Sequence, residues 1–199
     1  MHNMSNQGHD PKRNRFLDAA QAVFARYGYR RASMADIAAE AGVSRPALYL
    51  VFRSKPDVLR CLADRMRRNA IARATDAWRA GASFSENLEQ TILGKEADIF
   101  PLLHTSPHGA EIMTADAALT AEIAADLDAA FRALIARRAR EAASRGDIDL
   151  ACLDGDGDAF ASVVASAAKT LVNEAADEAA FLEGVRRLAR LAAAAVRRS

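Results

Sequence analysis

The chain has 199 residues, 51% of them apolar, with 10 Gly and 5 Pro beside a marked excess of alanine. That length holds one large domain or two small ones. Ala, Leu, Arg and Glu lose little side-chain freedom in a helix, no segment alternates apolar and polar residues over strand length, and no apolar run reaches a membrane span. The expected class is therefore all-α, with no membrane partner. A net charge of +1 conceals an asymmetry: residues 1–68 carry 13 Lys/Arg against 6 Asp/Glu, and residues 69–199 carry 14 against 20. A basic first part on a mildly acidic body points to a polyanion partner for the first part alone, although a solvated basic surface gives the same count. The polar start from Met1 to Pro11 has no apolar core of the signal-peptide kind, and Cys61 and Cys152 suggest no disulfide framework; a cytoplasmic protein with free thiols fits.

In chain order, Asp10 caps a first helix with Pro11 at its first position, and Phe16, Ala20, Val23, Phe24 and Tyr27 recur at helical spacing up to Gly28. Ser33 to Asp36 is a capping-box start for a second helix running to about Ala41. Ser44 caps a third, Arg45 to about Phe52. Ser54 to Asp57 repeats the capping pattern and opens a fourth, through Leu59, Leu62 and Met66 to about Trp78. A fifth is expected over Ser85 to Leu103, a short sixth over Glu111 to Asp116, and a long seventh from Leu119 to just before Gly146. Asp147 to Asp158 is a loop. Phe160, Val163, Val164, Ala167 and Leu171 stripe an eighth helix, and Phe181, Val185, Leu188 and Ala192 a ninth. The boundary between the two parts falls inside the fourth helix, dividing the chain into 1–68 and 69–199.

Residues 34–53 fit a helix-turn-helix. Ile37, Ala41, Val43, Leu48 and Val51 supply its interior, Ala38 is small where the helices cross, and Gly42 sits at a turn that needs positive φ. Such a pair lays its second helix in the major groove of DNA; a plain αα-corner shares the spacing. Around it, Phe16-Leu-Asp-Ala-Ala20, Phe24, Gly28, Asp36-Ile-Ala38, Ala41-Gly-Val-Ser44, Leu48-Tyr49, Phe52 and Ser54-Lys55 resemble the N-terminal signature of the tetracycline-repressor (TetR) family. The resemblance covers about residues 13–60 and implies an N-terminal three-helix DNA-binding domain followed by a C-terminal helical ligand-binding and dimerisation domain, about nine helices in all.

The same resemblance implies a DNA-facing set of Ser33, Ser44, Arg45, Pro46, Ala47, Tyr49, Leu50 and Lys55. Arg45 would offer its fork to a guanine edge, Ala47 would pack on a thymine methyl, and Tyr49 and Lys55 would meet phosphates. Pro46, Pro56, Leu50 and Val51 depart from the residues common in the family at those places.

In the second part, Trp78, Phe100, His104, Met113 and Phe131 are candidates to line a pocket for a small-molecule effector, each equally suited to plain core. Phe160, Ala161, Val164, Ala165, Ala168, Phe181, Val185 and Leu188 are the expected contacts of a homodimer, joined helix to helix. Asp154 to Asp158 lacks the glycine and glutamate that would complete a calcium loop. His104, His108 and Glu111 lack a third strong metal ligand beside the histidines. With no nucleophile elbow, phosphate loop or dinucleotide fingerprint, the reading is a regulator without cofactor, metal or enzymatic activity that a small molecule releases from operator DNA. A helical sensor or enzyme that does not bind DNA is the alternative.

Overall fold

A computed structural model of the chain describes residues 10–109, Glu111 and 117–198. Among them lie nine α-helices and no strand: α1 (Pro11–Tyr27), α2 (Met34–Glu40), α3 (Arg45–Tyr49), α4 (Lys55–Asp76), α5 (Phe84–Glu96), α6 (Ile99–Thr105), α7 (Ala117–Arg145), α8 (Gly157–Glu174) and α9 (Glu178–Ala195). The caps read from the sequence are in place. The Asp10 carboxylate accepts from the N–H groups of Lys12 and Arg13, and Gly28, at φ +79°, closes α1 by donating its N–H to Phe24. Asp156, in the Asp/Gly-rich loop, caps α8 by accepting from the Asp158 N–H.

One expected helix is two. The run from Ser85 to Leu103 is interrupted at Ala97 and Asp98, which separate α5 from α6. Pro101 explains the break: it has no N–H for the carbonyl four residues back, and its ring would clash with that carbonyl in a continuous helix. It is tolerated in the first turn of α6, where the helix has no such bond to make. The expected sixth helix, Glu111 to Asp116, lies outside the described residues apart from Glu111.

The chain divides into two compact units, one holding the described residues of Met1–Arg67 and Pro101–Ile123, the other those of Arg68–Phe100 and Ala124–Ser199. The first boundary falls inside α4, as the sequence suggests. The stretch after Pro101, expected in the second part, instead returns to the first. Leu102 packs on the first unit's core. Ser106 Oγ donates to the Ala25 carbonyl at 3.3 Å, and the Arg30 N–H donates to Glu111 Oε1 at 2.8 Å. A side chain at Gly28 would bring its Cβ within 2.5 Å of Glu111 Oε2, so the bare backbone makes this approach possible.

The first unit's core is built by Phe16, Leu17, Ala20, Val23 and Phe24 of α1, Ile37 and Ala38 of α2, Leu48 of α3, Phe52, and Val58, Leu59 and Leu62 of α4, all buried. In the second unit, α5 and α9 pack together, Phe100 stacks on Phe181 at 4.4 Å, and Gly184 of α9 admits Leu171 of α8 so closely that a Cβ there would meet it at 2.8 Å.

The residues expected at a dimer contact are mostly internal to the single chain. Phe160, Ala161, Val164, Ala168, Phe181 and Val185 are at most 4% exposed within the single chain, and Ala165 and Leu188 are half-buried. The apolar stripes of α8 and α9 are consumed by their own domain, because a helix buries its strongest apolar face against its neighbours first. The large apolar residues left open on these helices are Val163, Leu182 and Leu191.

Candidate nucleic-acid interface

The turn between α2 and α3 is set by backbone geometry. Ala41 ends α2; the Gly42 N–H then donates to Ala39 and the Val43 N–H to Ala38, at 3.0 and 2.9 Å. This reciprocal pair is a Schellman motif, and it requires the left-handed φ of +63° at Gly42. At the other end of α2, Ser33 Oγ accepts from the Asp36 N–H while the Asp36 carboxylate accepts from the Ser33 N–H and hydroxyl. Those bonds hold the Asp36 carboxyl below the usual carboxylate range.

Ser44 caps α3, with its Oγ accepting from the Ala47 N–H at 3.3 Å, and Pro46 occupies the first turn. α3 is shorter than expected, ending at Tyr49 instead of near Phe52. The N–H groups of Val51 and Phe52 both converge on the Leu48 carbonyl, and this tightened turn swings Phe52 fully into the core. Leu48, completely buried, anchors α3. Arg45, Pro46, Tyr49 and Leu50 face outward, with Tyr49 46% and Leu50 85% exposed, and Ala47 is half-buried. An 85% exposed leucine has no part in holding the fold, so its open position is consistent with a surface that meets something else.

Lys55 departs from expectation. Its ammonium is turned inward and donates to the carbonyls of Tyr29, Arg30 and Ala32 at 2.8, 3.2 and 2.9 Å, and it lies 4.6 Å from the centre of the Tyr29 ring. An ammonium has three donors, and all three are committed. Lys55 is a clamp that ties the loop before α2 to the start of α4, and its side chain is withdrawn from the DNA-facing set.

Four arginines nearby are unengaged. Arg30, Arg31, Arg45 and Arg53 are exposed, and their guanidinium groups make no hydrogen bond or ion pair with any described residue. They stand in the segments leading into α2, α3 and α4. The other arginines between residues 13 and 67 are engaged: Arg13 on Cys61 and the Phe52 ring, Arg15 on the Ala41 carbonyl, Arg26 on Glu40, Arg60 on Asp57, Arg65 on Asp18 and Gln21, Arg67 on Asp64. Burial pushes the Asp57 carboxyl up, but the Arg53 N–H and the Arg60 guanidinium outweigh it and hold the group below its ordinary range.

Among the described residues, the candidate effector residues differ in their surroundings. Phe100 and Phe131 are buried core, Phe131 beneath the Lys95 ammonium at 5.1 Å, and His104 is exposed. Met113 lies outside the described residues. Trp78 alone lines a cleft, of about 850 Å³, formed within the second unit by the 78–84 segment and the end of α7.

The first unit is thus a helix-turn-helix of the type whose second helix is presented on the surface. The family model for bacterial regulatory proteins of the tetR family matches residues 16–61. The transcriptional activator FasR of Mycolicibacterium smegmatis is 34% identical over 83 residues, 42% of this chain and 38% of that protein. The fatty acid metabolism regulator protein of Bacillus subtilis is 33% identical over 82 residues, 41% of this chain and 42% of that protein. The matches thus span about two fifths of these relatives' length. Over the whole chain the likeness is one of fold: a TetR transcription regulator from Haloarcula marismortui superposes with a TM-score of 0.73 at 16% identity, over 94% of this chain and 98% of that one. The fatty acid degradation regulator FadR from Bacillus halodurans does so at 0.69 and 20% identity, over 92% and 95%. Residues 16–61 thus match the tetR-family model, and the chain has the all-α fold of solved tetR-family regulators.

Proposed function

We propose that this chain is a DNA-binding transcriptional regulator, not an enzyme, that acts in the cytoplasm as a homodimer and is released from its operator by a small molecule. The observation that carries the reading is the selective freedom of the arginines. Six of the ten between residues 13 and 67 are held by the protein's own groups, and the four left free flank the helix-turn-helix. In this reading Arg45 reads a base edge, Arg30, Arg31 and Arg53 meet phosphates, and Tyr49 and Leu50 lie against the backbone and groove wall.

Two recognition helices set about 34–36 Å apart would meet successive turns of DNA, which requires a two-fold partner. Val163, Leu182 and Leu191, exposed on α8 and α9, are the apolar surface that such a partner would cover. Similar proteins include the repressor SmeT, solved in complex with triclosan, the transcriptional activator FasR and a fatty acid metabolism regulator. Repression relieved by an effector is the form proposed for this chain.

Selection from a random duplex pool, followed by fluorescence anisotropy across a salt series, tests the reading. Six phosphates neutralised by the dimer, three per protomer, give log Kobs against log salt a slope of about −5. Absence of any selected sequence, or binding indifferent to salt, would overturn it.

A further inference from the structure

The Trp78 cleft lies outside both the helix-turn-helix and the exposed α8–α9 surface. Its walls combine two chemistries. Trp78 and Phe84 meet edge to face at 5.7 Å and give it an aromatic side. Arg79, Arg138 and Arg145 also line it, against a single lining carboxylate, Asp147. Asp147 pairs with Arg145 at 2.8 Å, and Arg138 reaches out of the cleft to Glu141 at 3.1 Å. Arg79 is exposed and its guanidinium makes no hydrogen bond or ion pair with any described residue. Arg138 lies 5.3 Å from the centre of the Trp78 ring, and its Nε is buried without an acceptor. An unpaired guanidinium beside an aromatic wall favours an anion that also carries apolar surface.

The loop bearing Arg79 is already fixed. Asn87, 4% exposed, accepts from the Arg79 N–H at 2.7 Å and donates to the carbonyls of Arg79 and Ala82. Ser83 and Glu86 form a capping box immediately after it. A loop pinned on both sides presents its cation at little entropic loss on binding.

We propose that this cleft is the effector site and that its ligand is an amphipathic carboxylate, its headgroup received by Arg79 and Arg145 and its apolar body laid along Trp78 and Phe84. The proposal deepens the effector reading above and depends on it only for the regulatory consequence; binding itself is read without DNA. A carboxylate accepts two parallel hydrogen bonds from a guanidinium fork, and a cleft of about 850 Å³ is in the range that encloses a small organic molecule. Inorganic phosphate would satisfy the arginines and leave the aromatic wall wet. A neutral apolar molecule would leave the Arg79 guanidinium without a counter-charge.

Trp78 is the chain's only tryptophan, so intrinsic fluorescence reports on the site directly. Octanoate is the probe, with 1-octanol and inorganic phosphate as single-chemistry comparisons. The expected result is a saturable change in Trp78 emission with octanoate, at least about tenfold weaker with either comparison. The Arg79→Ala/Arg145→Ala double variant, checked for folding by circular dichroism, should weaken octanoate about tenfold or more and leave octanol unchanged. Octanol binding as tightly as octanoate, no emission change at millimolar octanoate, or full octanoate affinity in the folded double variant would each overturn the assignment. A protein that binds octanoate yet selects no duplex would refute the DNA-binding reading while supporting this site.

Discussion

Lys55→Met separates two roles that its position allows. Methionine keeps the length of the side chain and removes the ammonium, so three hydrogen bonds and the contact over Tyr29 are lost together. The Arg30 carbonyl is exposed and is rehydrated. Those of Tyr29 and Ala32 belong to buried residues, 8% and 3% exposed, and lose a charged donor in a place water reaches poorly. Each such loss is worth about 1–3 kcal/mol, and the cation over the ring about 0.5–1 kcal/mol. With partial relaxation of the loop, the sum is about 3 kcal/mol, a large share of the stability of a small unit. Urea unfolding followed by circular dichroism should show an earlier transition, and hydrogen exchange should place the loss in the amides around α2. The salt dependence of DNA binding, measured where the variant is folded, should keep its slope. A variant of wild-type stability whose slope is shallower by about 0.9 per protomer would refute the clamp and restore Lys55 as a phosphate contact.

Arg45→Ala should cost about 1–3 kcal/mol of affinity for a selected duplex and relax preference at one base position, whereas Arg53→Ala should weaken all sequences alike and flatten the salt slope; the same pattern for both would contradict the division of labour. Gly42→Ala meets no atom within 4 Å, so its penalty is the left-handed backbone alone, about 1–2 kcal/mol by thermal unfolding; no loss would argue against the Schellman turn. Val163→Glu with Leu191→Glu changes only exposed positions and should leave a folded monomer by light scattering; an unchanged dimer would move the interface elsewhere. Burial pushes the Glu96 carboxyl up against the opposing pull of Lys95. The stability tied to that raised group is complete below the ordinary glutamate range and is lost as pH rises through the folded value. Wild type should therefore lose stability relative to Glu96→Gln as pH rises above the ordinary glutamate range; a constant difference would contradict the raised direction.

The local parts of the structure were legible because their causes are local. Asp10, Ser33, Ser44 and Ser83 each bond an N–H two or three residues ahead, and α2 is closed by the Gly42 N–H on a carbonyl three residues back and the Val43 N–H on one five residues back. Pro101 carried the break between α5 and α6 in plain view, but the apolar spacing across it masked the effect of one missing N–H. What could not be read was the choice among long-range partners. The stripe Phe160, Val164, Ala168 has the same period whether it meets α5 and α9 of its own chain or a second copy, and only packing shows that it is spent internally. The return of the stretch after Pro101 to the first unit rests on contacts such as Ser106 to Ala25, which have no signature in spacing.

The DNA-facing set shows the same limit most sharply. Lys55 and Arg53 are two residues apart and equally basic, yet Lys55 is turned onto three carbonyls and Arg53 is left free. Net charge counts them equally, although an ammonium already satisfied by buried carbonyls must break those bonds before it reaches a phosphate. Arg26 and Arg65 are neutralised by partners 14 and 47 residues away. The excess of positive charge in the first 68 residues therefore overstates what is available to a polyanion. The informative quantity is which cations the fold leaves without a partner, and in this chain those that flank the α2–α3 turn are Arg30, Arg31, Arg45 and Arg53. A fold that engages the other arginines between residues 13 and 67 and leaves these four exposed sets like charges near the α2–α3 turn, a self-repulsion that an internal carboxylate would have relieved. The surface is accounted for once a polyanion supplies the missing charge.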